Sequence, residues 1–219
     1  MTESTPERAR RGVARDTAPV DVTEELEIGG RRLMLMRPPD AAELIYEEAF
    51  GRDEFLPYWA ELWPSSLALA CAVDARRPDG LAVVELGCGL ALPSIVAALG
   101  GARVLATDWS PDALAYAQRN ARANGAELET AHVAWADEEA LVAAGPFDFV
   151  LAADVLYEER NAAQLLGLLP RLGGEVLLAD PGRPALPGFL AAAADWHVDV
   201  LAATELPRGG VYRLSRRVT

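Results

Sequence analysis

From residue 81 onward, short apolar runs alternate regularly with longer amphipathic runs. Strands that are buried on both faces of a sheet consist of continuous apolar residues, and alternation with helices produces right-handed crossovers and a parallel sheet. We therefore predict an α/β protein built around a parallel sheet. The predicted strands are 81–86, 103–107, 128–134, 147–153 and 175–179. The predicted helices are 93–99, 111–124, 138–143 and 159–169.

Elements are also predicted on both sides of this alternation. Two short apolar runs flank Gly29-Gly30, which predicts a small N-terminal β-hairpin because glycine enters a tight turn without strain. We expect Asp40 to cap a helix that reaches about Phe50, and Pro64 to begin a second helix. Apolar runs at 197–204 and 211–217 predict a closing antiparallel hairpin.

These elements divide the chain into three predicted parts. Residues 1–20 are rich in Arg, Thr, Pro and Ala without apolar periodicity, which predicts a disordered tail. The hairpin and helices of residues 21–78 are expected to cover the binding site of the main domain, which comprises residues 79–219.

The charged residues exclude several classes of chemistry. All 20 basic residues are arginines, so lysine Schiff bases and the lysine of a phosphate-binding loop are excluded. Of the net charge of −13, residues 1–20 carry +1 and residues 208–219 carry +4, which leaves −18 for residues 21–207. Such a negative body repels phosphate backbones, so we expect a basic partner and no binding of nucleic acid.

Composition also limits the compartment and the metal chemistry. Cys71 and Cys88 form no zinc or disulfide pattern, and two histidines add no ligand cluster, so no metal site is expected. Residues 1–20 contain no apolar run typical of a signal peptide, and no uncharged run approaches the ~18 residues that span a bilayer. We expect a cytoplasmic protein without membrane contact, and a monomer rather than an oligomer.

A glycine-rich turn follows the first strand of the predicted sheet. It reads Glu85-Leu-Gly87-Cys-Gly89-Leu-Ala-Leu92, and Asp108 follows the next strand. Ligands of open parallel sheets bind beyond the carboxyl ends of the strands, where glycines admit the ligand and an acidic side chain binds ribose hydroxyls. A nucleoside-containing cofactor is therefore predicted. Leu92 stands where dinucleotide sites need a third small residue, which disfavours a diphosphate.

Each half of this motif has a purely structural alternative. The glycines alone can form a tight turn between a strand and a helix. Asp108 alone can cap the helix that begins near Pro111.

Further motifs stand at corresponding places along the chain. They are Trp59-Ala-Glu-Leu-Trp63-Pro64, Ala134-Trp135-Ala-Asp137, Asp154-Val-Leu-Tyr157 and Asp180-Pro-Gly-Arg183-Pro184. With the glycine turn, they resemble the seven-β-strand, class I protein lysine methyltransferases over about residues 25–215. That family includes enzymes that act on the β subunit of electron transfer flavoprotein. Ala91 departs from the family pattern, which usually has a third glycine there, and predicts a slightly tighter cofactor loop.

The resemblance implies a Rossmann-like, mostly parallel seven-stranded sheet with a C-terminal antiparallel hairpin and a small N-terminal hairpin and helix extension. It implies S-adenosyl-L-methionine as the cofactor and a protein lysine as the methyl acceptor. The flavoprotein β subunit is one candidate substrate.

Carried over by position, the resemblance assigns roles to individual residues. The implied cofactor-binding residues are Trp63, Glu85, Gly87, Gly89, Asp108, Trp135 and Asp137. The implied catalytic residues are Asp154 and Tyr157, at the acceptor end, and the implied substrate-binding residues are Trp59 and Arg183. Since a carboxylate stabilises an ammonium and opposes its deprotonation, we assign Asp154 to binding and orientation rather than to general base catalysis.

Structural alternatives remain for several of these residues. Trp59 and Trp63 lie four apart and can both be core residues on one helical face. Asp137 can cap a helix, Tyr157 can serve packing only, and Arg183 can pair with surface acids.

Alternatives remain for the whole protein as well. A small-molecule N-methyltransferase of the nicotinamide type shares this fold and cofactor motif. A non-catalytic binding module on the same fold is a second alternative.

Overall fold

The computed structural model describes residues 21–39, 58–201, 206 and 208–216. The predicted tail at 1–20 and the predicted helix that begins at Asp40 lie outside these residues. The strands are β1 Val22–Ile28, β2 Arg31–Arg37, β3 Ala82–Leu86, β4 Arg103–Asp108, β5 Glu129–His132, β6 Phe147–Ala153, β7 Gly173–Asp180, β8 Trp196–Leu201 and β9 Gly210–Arg216. The helices are α1 Pro64–Arg76, α2 Leu92–Leu99, α3 Pro111–Ala123, α4 Glu138–Ala144, α5 Glu159–Leu172 and α6 Leu186–Ala192. Among them there is no helix with the length and apolar character needed to cross a bilayer.

The main sheet has seven strands in the order β5-β4-β3-β6-β7-β9-β8. Strands β3 to β7 pair in parallel with one another, whereas β9 pairs antiparallel with both β7 and β8. Strands β1 and β2 form a separate antiparallel hairpin. The predicted fold class is therefore confirmed.

Apart from small shifts in the ends of other elements, α6 and β5 differ from the sequence prediction. Helix α6 was not predicted, because its seven residues show no clear amphipathic period and include a proline in the first turn. Strand β5 ends at His132 rather than at Ala134, because a turn follows in which the Asp137 N–H donates to the Ala134 carbonyl oxygen at 2.9 Å.

The sheet is covered on both faces, as its apolar strands require. Side chains of alternate residues, such as Val83 and Leu151, pack against α1, α2 and the N-terminal hairpin. The intervening residues, such as Val84 and Val150, pack against α4, α5 and α6. Because Ile28 of the hairpin belongs to the first cluster, the hairpin shares the core of the main sheet.

The order of the strands reverses beside β3. The chain passes from β3 through β4 to β5 on one side, and then returns to place β6 on the other side of β3. Helices leave in opposite directions at such a reversal and open a crevice at the carboxyl ends of the strands. The glycine turn, Asp108, Asp154 and Asp180 all stand at that edge.

The central strand provides a test of the packing. Leu151 on β6 is fully buried, whereas Val200 on β8 is 68% exposed. We expect Leu151→Ala to lower the free energy of unfolding by about 2–5 kcal/mol because it removes buried methyl groups and leaves a cavity. Val200→Ala should change it by no more than about 0.5 kcal/mol. Urea denaturation measures both values, and similar losses in the two variants would contradict this core.

Candidate functional site

The loop between β3 and α2 is shaped by residues in the left-handed conformation. The φ angles of Gly87, Gly89 and Ala91 are 68°, 51° and 62°. A Cβ on Gly87 would lie 3.1 Å from the ring of Trp135, and a Cβ on Gly89 would lie 3.1 Å from the Trp59 carbonyl oxygen. Both glycines are therefore required by conformation and by space. Ala91 accepts the left-handed conformation at a cost of about 1–2 kcal/mol that glycine would avoid.

Asp108 connects this loop to the neighbouring strand. Its buried carboxylate accepts hydrogen bonds from the N–H groups of Gly89 and Ser110, both at 2.9 Å. Burial raises the pKa of Asp108, although the N–H donors oppose this effect. Ser110, not Asp108, caps α3, since its hydroxyl oxygen accepts from the Ala113 N–H at 3.3 Å. The capping alternative for Asp108 is therefore wrong.

The side chain of Glu85, at the end of β3, faces helix α2, which follows the glycine loop. Its fully buried carboxylate accepts hydrogen bonds from the Ser94 N–H, at 3.0 Å, and from the Ser94 hydroxyl. Burial raises the pKa of Glu85 to about 8. These contacts tie the end of β3 to α2 and brace the glycine loop.

An ion pair between the buried carboxylate of Asp154 and the partly exposed guanidinium of Arg183 lies at the carboxyl end of β6. The two carboxylate oxygens of Asp154 accept hydrogen bonds from Nε and Nη2 of Arg183, at 2.7 and 2.9 Å. The Arg183 N–H in turn donates to Oδ1 of Asp180 at 2.7 Å. The hydrogen bond that Arg183 donates to Asp154 raises the pKa of Arg183. Arg183 therefore pairs with the predicted acceptor-site carboxylate and not with surface acids.

Aromatic rings surround this ion pair. The guanidinium of Arg183 lies 5.9 Å from the ring centroid of Trp63. The ring of Tyr58 lies 6.4 Å from that of Trp63 and 5.7 Å from that of Tyr157. Tyr157 is 41% exposed, and burial of the remainder raises the pKa of its phenol. Contacts thus link Asp154 through Arg183, Trp63 and Tyr58 to Tyr157.

Trp59 packs in the core, whereas Asp137 is exposed. The ring of Trp59 lies 5.3 Å from that of Tyr116 on α3, and its backbone carbonyl lies against Gly89 of the glycine loop. Asp137 is exposed at the start of α4, where its side chain makes no capping hydrogen bond.

Sequence reasoning missed two aromatic residues. Tyr58 precedes Trp59 directly and accepts a hydrogen bond on its carbonyl oxygen from the Trp63 indole N–H at 2.8 Å. Trp109 follows Asp108 and is 42% exposed, with its carbonyl oxygen 2.6 Å from Nε2 of His132. A tryptophan directly after the acid predicted to bind ribose was the available signal.

The residues fit a nucleoside ligand without phosphate. The Asp108 carboxylate accepts backbone N–H groups of Gly89, Trp109 and Ser110, and with about four acceptor sites it retains capacity for a ribose hydroxyl. The buried carboxylate of Asp108 repels a diphosphate, whereas a cationic ligand suits it and the Trp135 ring beside Gly87. Within the described ranges, no three His, Cys, Asp or Glu side chains are grouped to bind a metal ion.

Comparison with known families agrees with this geometry. A family model described as lysine methyltransferase matches residues 58–177, which is more than half of the chain. The match includes the glycine loop, Asp108 and Asp154, and it ends before Arg183.

Three curated relatives match this chain over 51–75% of their own length. EEF1A lysine methyltransferase 3 of Mus musculus is 36% identical over 52% of this chain and 51% of its own. The electron transfer flavoprotein beta subunit lysine methyltransferase of Xenopus laevis is 33% identical over 58% and 53%. The histone-arginine methyltransferase METTL23 of Homo sapiens is 28% identical over 64% and 75%. The chain thus spans about half the length of the first two.

Solved structures share the fold. The 16S rRNA N2 G1207 methyltransferase RsmC of T. thermophilus, in complex with AdoMet and guanosine, superposes with a TM-score of 0.64 and 19% identity over 90% of this chain and 51% of its own. The ribosomal protein L11 methylase of Lactobacillus delbrueckii subsp. bulgaricus superposes with a TM-score of 0.55 and 26% identity over 68% and 77%.

The buried carboxyl of Glu85 predicts a specific pH dependence of stability. Its pKa rises from an ordinary value of 4.5 to about 8, so between these pH values the folded protein keeps a proton that the unfolded chain loses. The resulting stabilisation is complete below about pH 4.5 and is lost as the pH rises through about 8, with a slope of up to ~1.4 kcal/mol per pH unit.

Glu85→Gln retains a carbonyl oxygen for Ser94 and removes this titration. Its free energy of unfolding should therefore fall less than that of the wild type between about pH 6 and about pH 8.5. Chemical denaturation at the two pH values measures the difference, and parallel losses in the two proteins would refute the buried proton.

Proposed function

Because the chain belongs to the lysine methyltransferase family, we propose that it transfers a methyl group from S-adenosylmethionine to a lysine side chain of a protein substrate. The observation that carries this proposal is the Asp154–Arg183 pair. It lies with exposed aromatic rings at the same edge of the sheet as the glycine loop and Asp108.

The cofactor is assigned to the crevice between β3, β4 and β6. When bound, S-adenosylmethionine supplies an electrophilic methyl group on a sulfonium. Asp108 would bind the ribose hydroxyls, while Gly87 and Gly89 allow the backbone to approach the cofactor closely. We propose that Trp135 and Asp137 contact the adenine and that Trp63 covers the site. Glu85 would act indirectly by bracing the loop through Ser94.

The acceptor end of the site must present a neutral amine, since an ammonium has no lone pair. The ordinary pKa of lysine is about 10.4, so a free carboxylate beside the amine would hold it in the unreactive charged form. Arg183 compensates the charge of Asp154 through two hydrogen bonds and thereby weakens that effect. The rings of Tyr58 and Tyr157 would desolvate the amine, which favours its neutral form.

The Asp154–Arg183 pair would therefore orient the acceptor nitrogen. The carboxylate oxygens of Asp154 are held by Arg183 and can accept one further hydrogen bond from the acceptor nitrogen. The proton of the acceptor leaves to water rather than to Asp154. Positioning then supplies much of the rate enhancement.

The partner proposed for this site is a basic segment of another protein. The charge of −18 on residues 21–207 favours such a segment and disfavours nucleic acid. Because one relative is named as a lysine methyltransferase of the electron transfer flavoprotein beta subunit, that subunit is one candidate substrate. We place the enzyme in the cytoplasm as a monomer.

Transfer of radioactive methyl groups tests the function directly. A cell lysate is incubated with the protein and labelled S-adenosylmethionine, and the modified residue is mapped by mass spectrometry. We expect label on a lysine of another protein, because the chain itself contains no lysine. Label on arginine would show that the acceptor is arginine rather than lysine. This alternative is favoured by the similarity to METTL23, which is named as a histone-arginine methyltransferase. Label only in the small-molecule fraction would refute a protein substrate.

The ion pair provides a prediction with a matched control. We expect Asp154→Asn to lower kcat by about 100-fold or more, because an amide orients the acceptor and compensates Arg183 poorly. The dissociation constant for S-adenosylmethionine should change by less than about threefold. Asp199 is also paired with an arginine, Arg213, but it lies on β8 in the closing hairpin, so Asp199→Asn should leave kcat unchanged. Equal loss of catalysis and cofactor binding in Asp154→Asn would contradict the assigned role.

A further inference from the structure

Two asparagines on α3 hold the edge of the N-terminal hairpin. Oδ1 of Asn124 accepts from the Met34 N–H at 2.8 Å, and its Nδ2 donates to the Met34 carbonyl oxygen at 2.7 Å. Asn120 makes the same pair of bonds with Met36, at 2.7 and 3.0 Å. Because Asn120 and Asn124 are one helical turn apart and Met34 and Met36 share one edge of β2, the two amides act as a neighbouring strand would.

The two asparagines differ in their remaining contacts. Asn120 is fully buried, and its Nδ2 also donates to the Leu90 carbonyl oxygen at 3.2 Å. Nδ2 of Asn124 donates instead to the Asn120 carbonyl oxygen of its own helix, at 2.8 Å. Only Asn120 of this pair therefore joins the hairpin and α3 to the glycine loop.

Leu90 occupies the most constrained part of that loop. It is 4% exposed and stands between Gly89 and Ala91, both of which have left-handed backbone conformations. Asp108 fixes the Gly89 N–H on one side of Leu90, and Asn120 fixes the carbonyl oxygen of Leu90 itself. Removal of the Asn120 amide would leave this buried carbonyl oxygen without its side-chain donor, which strains or shifts the loop.

We propose that Asn120 is a positioning residue for cofactor binding, which fixes the glycine loop through Leu90 and couples that loop to the N-terminal hairpin. The proposal rests on the S-adenosylmethionine site proposed above. Since coupling between two sites is reciprocal, cofactor binding should also tighten the docking of the hairpin.

The pair Asn120→Ala and Asn124→Ala tests the proposal. Both variants lose two hydrogen bonds to β2, but only Asn120→Ala loses the bond to Leu90. Calorimetric titration with S-adenosylmethionine should show binding about tenfold weaker for Asn120→Ala and within about twofold of wild type for Asn124→Ala. Asn120→Asp serves as a second variant, because it keeps an acceptor for the Met36 N–H and removes the donor to Leu90; it should also bind about tenfold more weakly.

Hydrogen exchange supplies a second readout that general destabilisation would not reproduce. Saturating cofactor should slow amide exchange in residues 31–37 of the wild type and of Asn124→Ala, but not of Asn120→Ala or Asn120→Asp. The proposal is overturned if the variants at the two positions bind the cofactor equally well or show equal protection. Failure of the wild-type protein to bind S-adenosylmethionine would instead overturn the proposed function itself.

Discussion

The reversal of strand order between β3 and β6 is the constraint on which the site depends. It places β4 on one side of β3 and β6 on the other, so their carboxyl ends open into one crevice. Asp108 enters the crevice from β4, and Asp154 enters it from beyond β6. The glycine loop lies between them. A different strand order would separate Asp108, the proposed ribose-binding acid, from Asp154, the proposed acceptor-binding acid.

Burial of carboxylates sets the electrostatics of this crevice. Glu85, Asp108 and Asp154 are all nearly inaccessible to solvent, yet each has a different compensating partner. Ser94 donates to Glu85, backbone N–H groups donate to Asp108, and a guanidinium neutralises Asp154. This distribution suits a sulfonium ligand and an amine acceptor, and it opposes phosphate.

Patterns within short segments predicted much of this structure from the sequence. Apolar runs located β3 to β7, and the spacing of the glycines and Asp108 located the cofactor crevice, because both depend on neighbours along the chain. Contacts across the sheet could not be predicted in this way. Arg183 and Asp154 are 29 residues apart, and their pairing depends on the adjacency of β6 and β7. The ring of Trp59 turned to Tyr116, and the contact of Asn120 with Leu90 depends on how α3 packs against the glycine loop.

A crystal structure with S-adenosylhomocysteine bound is the most direct measurement of the central claim. It should show the ribose hydroxyls on the carboxylate of Asp108, and the sulfur on the side of the glycine loop that faces Asp154 and Tyr157. A nucleoside bound away from Asp108, or a sulfur that points away from the Asp154–Arg183 pair, would contradict the proposed site.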